Sequence, residues 1–127
     1  MLRETRQLRA IRNAFEQAGR PLSPAELHEH AARDVPELGL ATVYRTISKL
    51  TEAGEIAPVE LPGESPRYER REAADQHHHH FRCTCCDRVF DVHGCAHGVE
   101  SLAPEGFEVE DHEITLTGRC ADCAGAA

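Results

Sequence analysis

The sequence predicts an α+β protein in which a helical N-terminal half ends in a β-hairpin and a small, cysteine-rich α/β half follows. Apolar residues recur at helical spacing up to about residue 50, and alternating, strand-like segments begin after that point. All six cysteines lie in the last 45 of the 127 residues. We therefore expect one domain over residues 1–71, a short polar hinge over residues 72–76 and a second domain over residues 77–127.

The first half contains three predicted helices. The first is amphipathic and ends at Gly19, since glycine readily adopts the left-handed conformation that follows a helix. The second starts at a capping box over residues 23–26, with Pro24 at its first position, and runs to about Ala32. The third ends at Gly54. The apolar stripes are Leu8, Ile11, Ala14, Phe15 and Ala18 in the first helix and Val43, Ile47 and Leu50 in the third.

A hairpin follows the third helix. Residues 56–61 and 67–71 read as two strands, and the segment between them, residues 62–66, is rich in proline and glycine. Three helices and then a hairpin are the element order of a winged helix-turn-helix domain. Such a domain places its recognition helix in the major groove of DNA.

The third helix leaves hydrogen-bonding side chains outside its apolar stripe. Arginine and lysine suit guanine edges and phosphates, whereas tyrosine and threonine suit thymine methyl groups and the DNA backbone. We therefore expect this helix to contact DNA. The candidate DNA-binding residues are Thr42, Tyr44, Arg45 and Lys49.

The formal net charge of −8 is unevenly distributed. Residues 1–56 carry eight basic and eight acidic side chains, whereas residues 57–127 carry six basic and fourteen acidic ones. An acidic chain argues against non-specific coating of nucleic acid, but a neutral half can still present a local basic face. We interpret one strip of arginines along the first helix as a solvated surface. This strip consists of Arg3, Arg6, Arg9 and Arg12.

The chain shows no targeting or membrane signal. No apolar run reaches the roughly 20 residues of a membrane span, and the N-terminus leads into no apolar signal-peptide core. We therefore expect a cytoplasmic protein with reduced thiols. In that compartment clustered cysteines bind metal or sense redox state more often than they form structural disulfides.

Two C-x-x-C knuckles, separated by 33 residues, carry the strongest metal signal. Four thiolates suit a tetrahedral structural zinc with bonds of about 2.3 Å. Such a site stabilises a half that is too small to be secure on its own hydrophobic core. We expect Cys85 to point away from the site. The expected ligands are Cys83, Cys86, Cys120 and Cys123.

A run of four histidines, residues 77–80, leads directly into the first knuckle. If residues 77–83 form a strand, successive side chains point to opposite faces of the sheet. Imidazoles two residues apart can then share one ion. Four consecutive histidines therefore serve two separate sites, His77 with His79 and His78 with His80.

The region between the knuckles contains two further predicted strands. Residues 88–92 alternate, and residues 107–117 form the longest strand candidate, with a bulge near Asp111 that aims His112 at a site. Residues 99–102 offer at most a brief helical turn. Cys95 is either an extra ligand or an ordinary loop cysteine, and we prefer the second interpretation.

Taken together, these motifs resemble the ferric uptake regulator (Fur) family, which includes zinc, iron, manganese and peroxide sensors. The most specific stretches are residues 39–46, 77–86 and 111–123. The resemblance covers nearly the whole chain. It implies a winged-helix domain followed by an α/β dimerisation domain. It also implies a non-enzymatic repressor that binds palindromic operator DNA as a homodimer when metal is loaded, controlling metal uptake or homeostasis genes.

The resemblance further implies which residues hold each ion. It places the structural zinc on the four knuckle cysteines and DNA contacts on Tyr44 and Arg45. It implies a sensory hinge site and a further site in the dimerisation domain, each built from histidines and carboxylates. The hinge site consists of Glu69, His78, His80 and Asp91, and the second site consists of His77, His79, Glu100 and His112.

The chain also departs from the family pattern. Many iron and peroxide sensors supply a hinge histidine from just before the second helix, and Pro21 occupies that position here. Peroxide sensing through oxidation of that histidine is therefore unavailable, and Zn²⁺ is favoured over Fe²⁺ or Mn²⁺ as the regulatory metal. The segment between residues 91 and 107 is shorter than usual, which makes His93, Cys95 and His97 alternatives to Glu100.

Parts of the sequence are also compatible with three other functions. A redox-sensing zinc regulator would lose its zinc on oxidation of the four cysteines. A zinc enzyme would use histidines and carboxylates to activate water, but the chain has no H-E-x-x-H motif. A metal-storage protein would not need the helix that carries Tyr44 and Arg45. No small-molecule substrate and no membrane partner are expected.

Overall fold

A computed structural model describes residues 3–76, 78–95 and 98–125. The chain is an α+β protein that divides into two compact units, Met1–Gln76 and His77–Ala127. Each unit has its own sheet, with two strands in the first and three in the second.

Three helices open the N-terminal unit, and their ends follow the caps that the sequence predicts. Helix α1 (Arg6–Ala18) is followed by Gly19, whose φ of 60° lets its N–H donate to the carbonyl of Phe15. Helix α2 (Pro24–Ala31) begins with the capping box, in which Ser23 Oγ accepts from the Glu26 N–H at 3.1 Å. Helix α3 (Leu40–Glu52) is followed within two residues by Gly54 at a φ of 78°. The three predicted helices are confirmed.

The core of this unit lies between the three helices and the first strand. The predicted stripes of α1 and α3 supply half of its buried residues, because they place apolar side chains on the faces that meet. Burial of each large aliphatic side chain contributes about 1.5–3 kcal/mol. The fully buried members include Ile11, Leu22, Leu27, Val43 and Leu50.

The hairpin consists of β1 (Ile56–Val59) and β2 (Arg67–Arg70), paired antiparallel. Leu22 and Tyr68 exchange backbone hydrogen bonds of 2.8 and 2.9 Å, which tie the hairpin to the segment between α1 and α2. A short helix α4 (Arg71–Ala74) follows, which we had not anticipated in the polar segment. This arrangement of three helices and a hairpin is a winged helix-turn-helix.

The C-terminal unit is built on a three-stranded sheet with the order β4-β3-β5. Strand β3 (His79–Cys83) pairs antiparallel with β4 (Val89–Val92) and parallel with β5 (Thr115–Gly118). A 3₁₀ turn covers Val99–Leu102, as predicted, and a short helix α5 covers Ala121–Ala124.

The prediction of a long strand over residues 107–117 is wrong. Only Thr115–Gly118 is a strand, and no bulged ladder surrounds Asp111. The reason is the register: β5 pairs with residues 80–83 of β3, which is only five residues long, so the ladder ends near Ile114, whose carbonyl accepts from the His80 N–H at 3.2 Å.

Among residues 3–76, 78–95 and 98–125, no helix combines the length and the apolar character that crossing a membrane requires.

Truncation of Leu27 tests the packing of the N-terminal unit. Leu27 has no exposed surface, so Leu27→Ala leaves a cavity and is expected to lower the free energy of unfolding by about 2–5 kcal/mol. Leu40→Ala is the matched control, because 44% of Leu40 is exposed. Urea unfolding followed by circular dichroism measures both. Equal losses in the two variants would contradict this description of the core.

Candidate metal centres and nucleic-acid interface

The four knuckle cysteines converge at one end of the C-terminal sheet. Cys83 ends β3 and Cys86 follows in a tight turn, whereas Cys120 directly precedes α5 and Cys123 lies within it. One ligand atom from each lies within 4.8 Å of the others. The two knuckles, far apart in sequence, are thus brought together by the fold.

Parallel pairing of β3 with β5 produces this convergence. Cys83 is the register partner of Gly118, and the Thr84 N–H donates to the Gly118 carbonyl at 2.7 Å. Both knuckles therefore leave the sheet side by side, and a short turn on each chain segment is enough to direct all four thiols inward.

Backbone donors and thiol crowding shape the chemistry of this cluster. The N–H groups of Cys86 and Cys120 each lie 3.4 Å from Cys83 Sγ, and hydrogen bonds from these groups lower the pKa of Cys83 to about 5. Contacts with the Cys85 and Cys120 thiols raise the pKa of Cys123. Several thiolates this close together repel one another unless a cation neutralises their charge. A divalent cation does so, and four sulfur donors in a small volume fit tetrahedral zinc.

A second cluster combines His78, His80 and Asp91. The Nε2 atoms of His78 and His80 lie 3.2 and 3.5 Å from the same carboxylate oxygen, Oδ1 of Asp91. His80 and Asp91 are register partners on β3 and β4, and His78 precedes His80 by two residues, so strand alternation puts both rings on one face. The donor set suits a divalent cation of borderline softness. Glu69, the other residue assigned to the hinge site, lies buried in β2 of the N-terminal unit.

A third cluster lies on the opposite side of β3 and combines His79, His112 and Cys95. Cys95 Sγ lies 2.9 Å from His112 Nε2 and 3.4 Å from His79 Nε2. Glu100, which the resemblance assigns to this site, is exposed on the 3₁₀ turn and is not part of the cluster. His77 lies outside the described residues.

The position of Cys95 differs from our prediction. We had preferred an ordinary loop cysteine, whereas the fold places its sulfur between two imidazoles. The short segment after β4 is the sequence feature that indicates this position, because a short loop keeps Cys95 close to β3.

The exposed face of α3 is polar and cationic, opposite the buried stripe of Val43, Ile47 and Leu50. Tyr44 is 53% exposed, and the Arg45 guanidinium donates to Thr42 Oγ1 at 3.0 Å. Arg45 and Lys49 are exposed and Thr42 is half-buried. Hydrogen-bond donors and an aromatic ring are therefore presented together along one side of the helix.

The arginine strip of α1 is ion-paired with carboxylates. Arg6 contacts Glu37 at 2.7 Å, and Arg12 forms a two-pronged pair with Glu55 at 2.6 and 3.0 Å. The hydrogen bonds that Arg12 donates to the Glu55 carboxylate raise the pKa of Arg12. These carboxylates offset the positive charge of α1, so α3 offers the better surface for a polyanion.

Replacement of a single knuckle cysteine tests the four-sulfur site. Cys120→Ser removes a buried ligand and is expected to abolish the tightly held zinc. Cys85→Ser is the matched control, since the exposed Cys85 thiol contacts Cys123 but is not one of the four converging sulfurs. Zinc per chain is measured after gel filtration. Retention of zinc by Cys120→Ser, or its loss from Cys85→Ser, would overturn the ligand assignment.

Comparison with known proteins identifies the family to which this combination of domains belongs. The model of the ferric uptake regulator family matches residues 1–117. The zinc uptake regulation protein of Mycobacterium tuberculosis is 33% identical over 127 residues, covering 96% of this chain and 95% of that protein. The ferric uptake regulation protein of Bacillus subtilis is 32% identical over 119 residues, covering 91% and 80%. A solved zinc-bound manganese uptake regulator superposes with a TM-score of 0.78 at 26% identity, covering 94% and 91%. The chain belongs to the ferric uptake regulator family.

Proposed function

We propose that this protein is a metal-dependent transcriptional repressor that binds palindromic operator DNA as a homodimer and controls metal uptake or homeostasis genes. The observation that carries the proposal is the presence, in one chain, of a cationic exposed α3 and a half-buried cluster of His78, His80 and Asp91. A DNA-reading helix and a metal cluster in one chain are what a metal-responsive regulator requires. The relatives are named as regulators, which agrees with an absence of enzymatic activity.

The DNA contact is assigned to α3. Arg45 and Lys49 would meet phosphates or guanine edges, and Tyr44 and Thr42 would contact thymine methyl groups and the backbone. The buried stripe of α3 holds the helix against the core, so its outer face is presented on a rigid element. A C₂ homodimer presents two such helices, which accounts for a palindromic target.

The regulatory ion is assigned to His78, His80 and Asp91, with Glu69 as the fourth ligand on the strength of the family resemblance. Two imidazoles and carboxylates suit zinc and iron, and added carboxylates suit manganese as well. Pro21, which is fully buried, replaces the additional histidine of many iron and peroxide sensors, so we favour Zn²⁺. Zinc supplies a fixed positive centre to these ligands without redox chemistry.

Metal loading is proposed to act by population shift. A ligand changes a conformational equilibrium only through its different affinity for the two states, and a few kcal/mol are enough for a switch. The ion would be held by the two imidazoles and the Asp91 carboxylate, and it would stabilise the state in which these donors lie together. Neutralisation of acidic charge in the C-terminal half also favours approach to DNA.

The homodimer is supported by apolar residues that the C-terminal unit leaves exposed. Single exposed apolar side chains are ordinary, but four large ones in so small a unit are typical of an association surface. We propose that a second copy covers them, and that the protein acts in the cytoplasm. Their exposed fractions are 84% for Leu102, 69% for Phe107, 41% for Val109 and 47% for Leu116.

Replacement of Arg45 tests the DNA assignment. Arg45→Ala is expected to weaken operator binding by about 1–3 kcal/mol, because it removes a base or phosphate contact. The measurement is a gel shift on the region upstream of the protein's own gene, with Zn²⁺ and with a chelator. Arg33→Ala removes the same charge from an exposed position outside α3 and is expected to bind as the unaltered protein does.

Two outcomes would contradict the proposal. DNA binding that is the same with and without metal would contradict the role as a metal sensor. The absence of binding to this region in every condition would contradict the role as a repressor. A loss in Arg33→Ala as large as that in Arg45→Ala would show that overall charge, and not α3, determines affinity.

Replacement of His80 tests the regulatory site. His80→Ala is expected to abolish the metal-dependent gain in operator affinity, a gain that for a typical allosteric coupling is roughly 5- to 150-fold. The four-cysteine zinc remains, so the protein stays folded. His30→Ala, on α2 and outside the three clusters, serves as the control. Affinity is titrated at buffered free Zn²⁺, Fe²⁺, Mn²⁺ and Ni²⁺, and an undiminished response in His80→Ala would exclude this cluster as the sensor.

A further inference from the structure

We propose that His79, Cys95 and His112 form a separate metal site in which the Cys95 thiolate is a ligand, and that this thiolate selects zinc and similar thiophilic ions over Mn²⁺ and Fe²⁺. This goes beyond the proposed function, which assigns sensing to His78, His80 and Asp91. It also differs from the carboxylate-containing site that the family resemblance implies, because Glu100 is not in the cluster.

The three donors come from three different chain segments. His79 is the first residue of β3, Cys95 follows β4, and His112 lies in the irregular segment that precedes β5. Their ligand atoms lie within 4.8 Å of one another. Residues so distant in sequence converge here because the sheet places the end of β4 and the approach to β5 on either side of β3.

The distances are close to those of a tetrahedral zinc centre. Zn–N bonds of about 2.0–2.1 Å and a Zn–S bond of about 2.3 Å at a tetrahedral angle place nitrogen and sulfur roughly 3.6 Å apart. The Cys95 Sγ to His79 Nε2 distance is 3.4 Å, and that to His112 Nε2 is 2.9 Å. A small rotation of the His112 side chain, which belongs to an irregular segment, supplies the remaining separation.

His79 is the fixed member of the cluster. It is buried, and the Ile114 N–H lies 3.2 Å from its Nδ1, an interaction that directs Nε2 towards the Cys95 sulfur. A neutral imidazole that binds a metal through Nε2 carries its proton on Nδ1. Binding through Nε2 would move the ring proton to Nδ1, which could then no longer accept from the Ile114 N–H, so the Ile114 amide reports the state of His79.

The thiolate decides the metal preference. Soft sulfur ligands favour Zn²⁺ and Cu⁺, whereas carboxylates suit Mn²⁺ and Mg²⁺. With two imidazoles and one thiolate the protein supplies three donors, and the fourth position of a tetrahedral ion is left to water or another ligand.

Cobalt substitution tests the site directly, because a thiolate bound to Co²⁺ gives a near-ultraviolet charge-transfer absorption that imidazole and carboxylate ligands do not give. The full-length protein carrying one zinc per chain in the four-cysteine site is titrated with Co²⁺. The charge-transfer band is expected in the unaltered protein and absent from Cys95→Ser. Zn²⁺ affinity at this site is expected to fall more than about tenfold in Cys95→Ser. Mutation of a residue that only hydrogen-bonds to a metal ligand already lowers metal affinity by about 10- to 100-fold.

Cys85→Ser is the matched control, because it removes another exposed thiol that lies outside the His79 cluster. It is expected to keep the band, and zinc per chain is measured in every sample to show that Co²⁺ has not entered the four-cysteine site. Cys95→Asp restores an anionic donor without sulfur and is expected to bind Mn²⁺ more tightly relative to Zn²⁺ than the unaltered protein does.

The proposal is overturned by any of three results: no thiolate band in the unaltered protein, a band that survives in Cys95→Ser, or a band lost equally from Cys85→Ser. A shift of the Ile114 amide resonance on metal addition, present in Cys85→Ser and absent from Cys95→Ser, supports it independently. None of these measurements uses DNA, so their outcome is separate from that of the repressor assignment.

Discussion

The C-terminal unit depends on the parallel pairing of β3 with β5. This contact joins segments separated by more than thirty residues, places Cys83 opposite Gly118 and brings the two cysteine knuckles to the same end of the sheet. The packing at Gly118 is tight, because a Cβ at that position would lie 3.3 Å from Cζ of Phe81. The same pairing carries the segment that precedes β5 past β3, so that His112 reaches His79. One strand contact therefore supports two of the three candidate metal centres.

The two units are stabilised by different interactions. The N-terminal unit has a continuous apolar core between its helices and β1. In the described part of the C-terminal unit, the buried residues are Cys83, Cys120, His79 and Val89, of which three are candidate metal ligands. A unit of about fifty residues buries little apolar surface, and metal coordination at the four cysteines would supply stabilising free energy. Loss of zinc is therefore expected to affect this half far more than the winged helix.

Strand alternation separates His79 from His78 and His80. His78 and His80 face Asp91 on β4, whereas His79 faces the opposite side and meets Cys95 and His112. Donor chemistry then separates the three centres: four sulfurs suit a closed structural site, imidazoles with a carboxylate suit an exchangeable regulatory ion, and imidazoles with one thiolate favour a thiophilic metal. Adjacent residues on one strand thus contribute to candidate sites that prefer different metal ions.

The sequence by itself determined the helices of the winged domain, their caps, the cysteine knuckles and the division of the histidines, because each depends on periodicity or spacing within a short segment. Only the tertiary structure decided which distant residues meet. The length of β5 is limited by its partner β3, the arginines of α1 are offset by carboxylates from other segments, and Cys95 rather than Glu100 joins His79 and His112. These outcomes depend on how irregular segments return to the sheet, and no local pattern encodes the position of a loop relative to a strand that lies far away in sequence.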